Sequence, residues 1–541
     1  ETLHWVVGNE PIALSQLKER YYEPNLLAKA LGFSKEALRD VKAFKNVALY
    51  PSIELTKPEP GDATLGIKLT NRGGGIGKVV VLINGKEMAA DARGERITPD
   101  AKSAELSIDI KGHPYFIPGK KNQIEVKAYN AEGYLSSRGV VVDYDAPGTA
   151  PSEIPALWAI VAGVSDYSGE AIDLRYAAKD ARDIATALKL GGSRLFGSDK
   201  VKLLTLTTLP PDKLPTKDNL RQAFKELHAA RPWDIMVVYL AGHGVAQGDE
   251  YYYLTQEARS ADLTDPAVRE RVAISSGEMV EWIKQSPSTL QVMLLDTCAA
   301  GTFEKKLSEK RDISSDQVRA LDRMKDRTGF HVLMGSAADR VSYEATQYEQ
   351  GLLTYALLEG MKGAALREQE FIDVSKLFSH AVDEVPKLAQ NIGGIQSPRI
   401  AAPKGTSFDI GQLTAEDRQK IPLAQSKPFL LSPMFLNPGE GFDNLRLTAL
   451  VRKKLRDDSY ASGRGGARRL PVVYVDAEQF TGVLLPSGTY SIAGDKVQAT
   501  LVLVRDQKRL TDLKVEGDAK DPSALAAQIV EGIMGAVENV K

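Results

Sequence analysis

Two short apolar runs stand out along the chain, Val237-Val238-Tyr239-Leu240-Ala241 and Val292-Met293-Leu294-Leu295. Each is continuous rather than alternating, and each gives way at once to polar or reactive side chains and glycine. A strand buried on both faces has this pattern. In an open parallel sheet the carboxyl end of such a strand is where ligands meet the protein. Similar runs at 158–164, 201–207 and 330–335 alternate with amphipathic stretches at 176–190, 217–230, 276–285, 352–361 and 374–388. The alternation predicts right-handed crossovers and a mostly parallel sheet with helices on both faces, over residues 152–403.

Upstream the periodicity changes. Leu14, Leu17, Tyr21, Leu26, Leu27 and Leu31 imply a mostly helical segment over 1–45. Between 46 and 147, runs at 52–55, 64–70, 78–84, 105–110, 123–129 and 135–142 read as strands, with Asn84-Gly85 as a tight hairpin. About seven short strands in about 100 residues imply an all-β immunoglobulin-like or fibronectin-like sandwich. Downstream of the α/β region, 404–425 reads as a linker and 426–541 as a small α/β domain. That domain has strands at 472–475, 488–493 and 498–504, a Gly/Arg-rich loop at 459–469 and a last helix at 522–540. Between 301 and 329 the chain is highly charged and weakly periodic.

Composition changes this picture little. The 541 residues are 43% apolar and carry a net charge of −2, which argues against a dedicated nucleic-acid surface. No apolar run approaches the roughly 18 residues of a spanning helix, so a membrane partner is not expected. A single cysteine excludes an internal disulfide and a CxxC zinc site, and it fits a reducing, cytoplasmic setting. The chain opens at Glu1 with no signal-like segment, as a piece of something longer would.

The chemistry gathers at the two runs. One delivers His243 between Gly242 and Gly244, and the other delivers Cys298 shortly before Gly301. A thiol becomes a good nucleophile when a base can take its proton, and adjacent strand ends would bring the imidazole within reach. The glycines would let backbone approach a substrate, and the amides of Gly244 and Cys298 could hold a developing oxyanion. Nothing in the sequence identifies a group that orients the histidine. Taken singly, a lone cysteine or a strand-end histidine is more often structural than catalytic. The joint pattern carries the reading. Asp296, two residues before Cys298, would face the same way on a strand and suit a basic residue before the scissile bond.

Tyr239-Leu240-Ala241-Gly242-His243-Gly244 and Leu295-Asp296-Thr297-Cys298-Ala299-Ala300-Gly301 resemble the histidine and cysteine motifs of caspase-like peptidases, in the metacaspase and orthocaspase branch of bacteria and plants. Leu174-Arg175-Tyr176-Ala177-Ala178-Lys179-Asp180-Ala181 and the stretch Gly351 to Gly360 resemble two further family segments. The motifs run in the family's order between Trp158 and Ala402, with about 55 residues from histidine to cysteine. Ala241 departs from the pattern, since the family often has a hydroxyl residue there. The resemblance implies a caspase-like α/β sandwich, a cysteine endopeptidase without a required cofactor, and protein or peptide substrates. It adds Asp180 as a second wall of the pocket, and two carboxylates can clamp a guanidinium, giving cleavage after Arg with Lys weaker. Ser336 and Ala337 would pair with substrate backbone. Lys305, Lys306, Lys310, Arg311, Arg319, Arg323, Lys325 and Arg327 lie where the family is often cut during maturation. Calcium activates many relatives, but no loop of calcium spacing is present here.

The flanks add analogies only. The first 45 residues, with Trp5-Val6-Val7-Gly8-Asn9, resemble the joint between a WD-repeat propeller and a caspase-like domain in bacterial proteins, and Asn444 to Val451 resembles a TolB-like amino-terminal domain. Both imply regulatory or assembly modules, in bacterial signalling or defence. The alternative is a non-catalytic caspase-like scaffold that binds protein.

Overall fold

The computed structural model describes the chain apart from residues 1–3, 35, 44–45, 59–63, 95–96, 248–249, 300–313, 336–346, 392–395, 404, 406, 464–469, 476–482, 506–507 and 540–541, and apart from the side chains of 298–299, 391, 460–463 and 539. Its central sheet holds β1 (Leu157–Gly163), β2 (Val201–Thr207), β3 (Ile235–Gln247), β4 (Glu250–Leu254), β5 (Ala273–Ser275), β6 (Leu290–Ala299), β7 (His331–Gly335) and β8 (Arg399–Ala401). The main path runs β2-β1-β3-β6-β7-β8, parallel except for β8, while β4 and β5 extend antiparallel from the end of β3. Strand order reverses between β1 and β3, so the carboxyl ends of β1 and β3 border a topological switch point, with β6 next to β3.

Alternation along the strands explains both covered faces. Met236, Val238 and Leu240 of β3, with Met293 and Leu295 of β6, meet one set of helices: α2 (Lys217–Glu226), α3 (Ser276–Lys284) and α4 (Ser315–Thr328). The opposite face, with Tyr239 and Asp296, receives α1 (Ala177–Phe196) and α5 (Leu352–Glu359), and α6 (Val374–Asn391) packs on α5. Gly163 lets α1 come down on β1, because a Cβ there would lie 2.2 Å from the Ala177 carbonyl oxygen.

Three expectations are corrected. Residues 1–45 are not mainly helical. They open with an antiparallel hairpin, His4–Val7 with Glu10–Ala13, turned at Gly8 (φ +61°), and continue in single helical turns, with Leu26, Leu27 and Leu31 exposed instead of forming a buried face. Residues 404–425 are not a free linker. Asp409–Gln412 pairs with Phe371–Asp373 beside α1, and Ile410, Leu413 and Ile421 are buried. Within the weakly periodic charged stretch, 315–328 is helix α4. It starts at a Ser314 capping box and buries Ala320, Leu321 and Met324 in the core.

Upstream, Ser52–Thr56, Thr64–Thr70 and Ser103–Asp109 form one antiparallel sheet, and Lys86–Ala89, Val79–Ile83, Lys121–Ala128 and Val140–Asp145 form another. Leu65, Ile67, Val81, Ile83 and Ile124 from both sheets share one core. Asn84 and Gly85 make the hairpin turn with positive φ at both positions, as a type I′ turn requires. The strand after that turn had no sequence signal beyond it, and 135–139 lies outside any strand.

The hairpin plugs into the central domain. Lys86, 1% exposed, donates to the carbonyls of Ile283 (3.0 Å), Ser286 (2.5 Å) and Ser288 (3.2 Å), so it satisfies the acceptors left open at the end of α3. Glu87 beside it pairs with Lys284 (2.9 Å) and Arg327 (3.0 Å). Burial, with the nearby Lys284 ammonium, pushes Lys86 down to about 7. From the amino-terminal segment, Lys18 pairs with Asp326 (2.8 Å), and the Ser315 hydroxyl donates to Glu36 (2.6 Å), so α4 is held by two upstream segments.

A second compact unit is built mainly from Ala424–Lys541. Met434–Leu436, Leu485–Ala493, Lys496–Arg505 and Lys508–Asp518 form its four-stranded sheet, and Leu447–Gly463 and Pro522–Asn539 pack on it. The first of these helices runs through 459–463, where a loop was expected, and 464–469 lies outside the described residues.

Replacing Lys86 by Ala strips three buried carbonyls of their donor and deletes a buried stem. Chemical denaturation should show a loss of about 3 kcal/mol. An unchanged midpoint would mean that the hairpin merely rests on the central domain.

Candidate active site

Register is the first fact of the site. β3 and β6 pair in parallel from Ile235 opposite Leu290 to Gly244 opposite Ala299. His243 therefore lies directly opposite Cys298, and Ala241 opposite Asp296. Parallel neighbours are about 4.8 Å apart, so the histidine and cysteine positions are adjacent across the ladder.

The strands run on past the apolar runs that mark them in the sequence. β3 continues to Gln247 and β6 to Ala299, so Cys298 sits within a strand instead of at a sharp bend. Gly244 is buried, with Ala299 opposite on one edge and Tyr253 on the other, and its amide does not sit at an open turn. The two glycines have another use. A Cβ at Gly242, whose φ is +149°, would lie 2.8 Å from the Tyr167 hydroxyl, and one at Gly244 would lie 2.6 Å from the Tyr251 ring. They make room for tyrosines.

Those tyrosines hold the strands behind the histidine. Tyr167 Oη accepts from the His243 amide at 2.8 Å, and its ring lies against the imidazole with centroids 5.2 Å apart. Tyr251 Oη donates to Thr297 Oγ1 at 2.9 Å, and Tyr253 Oη to the Ala241 carbonyl at 3.0 Å. Asp173 Oδ1 accepts from the Tyr167 amide at 2.7 Å and so shapes the loop after β1.

His243 Nε2 lies 2.7 Å from the Ile172 carbonyl oxygen. A carbonyl can only accept, so Nε2 carries the proton and Nδ1 carries the lone pair. Nδ1 is buried and has no hydrogen-bond partner among the described residues. Burial holds the imidazole below its ordinary value, opposed by the Ile172 carbonyl and the Asp173 charge. The orienting group missing from the sequence is thus a main-chain carbonyl. A carbonyl belongs to every residue type, and no side-chain pattern announces it.

Asp296 and Asp180 both act on the charge state of one phenol. Tyr239 is fully buried, and burial together with the charges of Asp296 and Asp180 pushes its hydroxyl far up. Asp180, 3% exposed, comes from the first turns of α1. Asp296, partly exposed, accepts at Oδ2 from Thr354 Oγ1 (2.6 Å), and Tyr239 Oη lies 3.3 Å from the same oxygen. Burial raises Asp296, and these hydrogen bonds oppose the rise. Tyr239 and Thr354 stand inside the quoted motifs, but sequence alone assigned neither a role.

The other expected residues divide. Ser336, Ala337, Lys305, Lys306, Lys310 and Arg311 lie outside the described residues. Arg319, Arg323, Lys325 and Arg327 all lie in the helix α4. Arg319 is 5% exposed and pairs with Asp316; Lys325 pairs with Asp326 (2.9 Å) and Arg327 with Glu87 and Glu281. A peptidase that takes its substrate as an added strand needs extended backbone, which a packed helix withholds.

Residues 156–407 match the family model described as the caspase domain. Metacaspase-3 of Arabidopsis thaliana is 31% identical over 102 residues, which are 18% of this chain and 27% of that protein, so the chain spans about a quarter of the relative's length. Among solved structures, a β-glucuronidase from Ruminococcus gnavus in complex with D-glucuronic acid is 11% identical, with a TM-score of 0.10 over 46% of this chain and 42% of that one. An FMN-binding β-glucuronidase from Facaelibacterium prausnitzii L2-6 is 9% identical, with a TM-score of 0.12 over 87% and 71%. Neither of these two likenesses carries an argument. The family match covers less than half of the chain and supports a caspase-like domain over residues 156–407.

Two measurements check this geometry. NMR titration should find the His243 imidazole below the usual value of about 6.5, so that it is neutral and able to accept a proton at pH 7; a value above 6.5 would contradict its enclosure. Mass spectrometry of any self-processed protein should show no cut after Arg319, Arg323, Lys325 or Arg327, and a cut there would mean that α4 opens.

Proposed function

We propose that the protein is a cysteine endopeptidase that cleaves after Arg, and less well after Lys, with Cys298 as nucleophile and His243 as base. The observation that carries this reading is the Nδ1 of His243, without a hydrogen-bond partner among the described residues, on the residue opposite Cys298. Nε2 is committed to the Ile172 carbonyl, so Nδ1 is the nitrogen free to take the thiol proton. The thiolate then attacks the scissile carbonyl carbon, and the imidazolium returns the proton to the leaving amine. Water hydrolyses the thioester, with the same nitrogen as base. The buried Gly244 amide gives no support to its part in an oxyanion hole.

Asp180 and Asp296, both bearing on Tyr239, form the acidic side of the site, and a guanidinium can pair with two carboxylates where a substrate aspartate would be repelled. The two-sheet module and the amino-terminal segment are the candidates for regulation, since both grip α4, which follows the cysteine strand. A protein-binding scaffold on the same fold is the competing reading, favoured by Gly244 lying buried between two strands.

Fluorogenic peptides ending in Arg, Lys and Asp separate these readings. Arg should be cut fastest, Lys more slowly and Asp not at all, with Cys298→Ala abolishing turnover. Preference for Asp would overturn the acidic pocket. No cleavage of any peptide, with or without added calcium, would favour the scaffold.

A further inference from the structure

Thr354 lies in the first turn of α5, where backbone amides have no carbonyl four residues back to bond. Its hydroxyl donates to Asp296 Oδ2 at 2.6 Å, and its amide also bonds to the same carboxyl. Behind it, Tyr239 Oη is 2.6 Å from Thr354 Oγ1 and 3.3 Å from Asp296 Oδ2. Counting protons gives the direction of this triangle. Each hydroxyl has one hydrogen. The threonine spends its own on the carboxylate, so the close contact with Tyr239 is filled by the tyrosine's hydrogen. The order is Tyr239 to Thr354 to Asp296, and every donor points toward the acid.

Such an arrangement favours a charged carboxylate in a place where burial opposes charge. Both hydroxyls bear on Oδ2, so neither of them holds Oδ1. Oδ1 lies over Gly335, where a Cβ would sit 3.5 Å away. We propose that Thr354, with Tyr239 behind it, is a positioning residue for substrate selection: it holds Asp296 ionised and presents Oδ1 to a cationic side chain, so that preference for Arg depends on a hydroxyl at 354. This rests on the reading of Asp296 as the acceptor of a basic substrate residue.

The surroundings of Asp296 are few. Among the described residues Thr354 bears on it from α5 and Tyr239 from β3, Asp180 bears on Tyr239 from α1, and Gly335 of β7 adds no charge. Loss of the Thr354 hydroxyl should therefore raise the protonation midpoint of Asp296. The ionised form then survives only at higher pH, and the acid limb of Arg cleavage moves upward.

The test is the pH profile of kcat/KM for an Arg-ended and a Leu-ended peptide, in the intact chain and in Thr354→Val, Thr354→Ser and Tyr239→Phe. Thr354→Val should lose about tenfold or more for Arg at pH 6, mainly through KM. Its acid limb should move to higher pH, the Leu-ended peptide should be unaffected, and Thr354→Ser should restore the profile. Tyr239→Phe should shift the limb in the same direction by less, and it decides the matter if Thr354→Val does not fold. Wild type that prefers Arg alongside variants with an unchanged limb would overturn the relay and leave the acidic pocket standing. Wild type without preference for Arg would overturn both.

Discussion

The parallel register between Ile235–Gln247 and Leu290–Ala299 is the constraint on which the rest of the site depends. It sets His243 opposite Cys298 and Ala241 opposite Asp296. A one-residue slip would send each side chain to the other face of the sheet. Burial on both faces forbids the slip, since Met236, Val238 and Leu240 belong to one helical layer and Tyr239 to the other. The site is therefore not a loop assembly. It is a property of how two apolar strands must align to bury their side chains, and the chemistry follows the packing.

The supporting groups come from elements held just as firmly. Gly163 lets α1 approach, which brings the Asp180 charge to bear on the Tyr239 phenol, and α5 brings Thr354 to Asp296. The loop after β1 returns Ile172 and Tyr167 to His243, one to the ring and one to the amide. One face of the sheet thus collects the acidic groups, and its carboxyl edge collects the base. Far from the edge, Lys86 and Glu87 tie the two-sheet module to the ends of α3 and α4.

Much of this was legible in the residues. Continuous Val, Ile and Leu runs announced the buried strands, and Val201–Thr207 matched its expected bounds. Asn84-Gly85 announced the hairpin because few other dipeptides tolerate two positive φ angles. What stayed hidden had physical reasons. Ile172 acts through its carbonyl, which no side-chain pattern marks. Gly242 and Gly244 read as substrate clearance, but they clear space for Tyr167, far upstream, and for Tyr251 on the strand that pairs back on β3. Charged α4 read as irregular because ion pairs with distant segments replace much of the apolar face that periodicity would reveal. The hairpin of residues 4–13 has four-residue strands, too short to outweigh the helical spacing of the leucines that follow.

The working partnership of His243 and Cys298 is the central claim, and the rate of thiol alkylation against pH tests it most directly. The chain has one cysteine, so a neutral alkylating reagent reports on Cys298 alone. In the wild type the rate should stay high well below the ordinary thiol value of about 8.5, and His243→Ala should return the curve to that value. Coincident curves for the two proteins, both rising near 8.5, would contradict the claim.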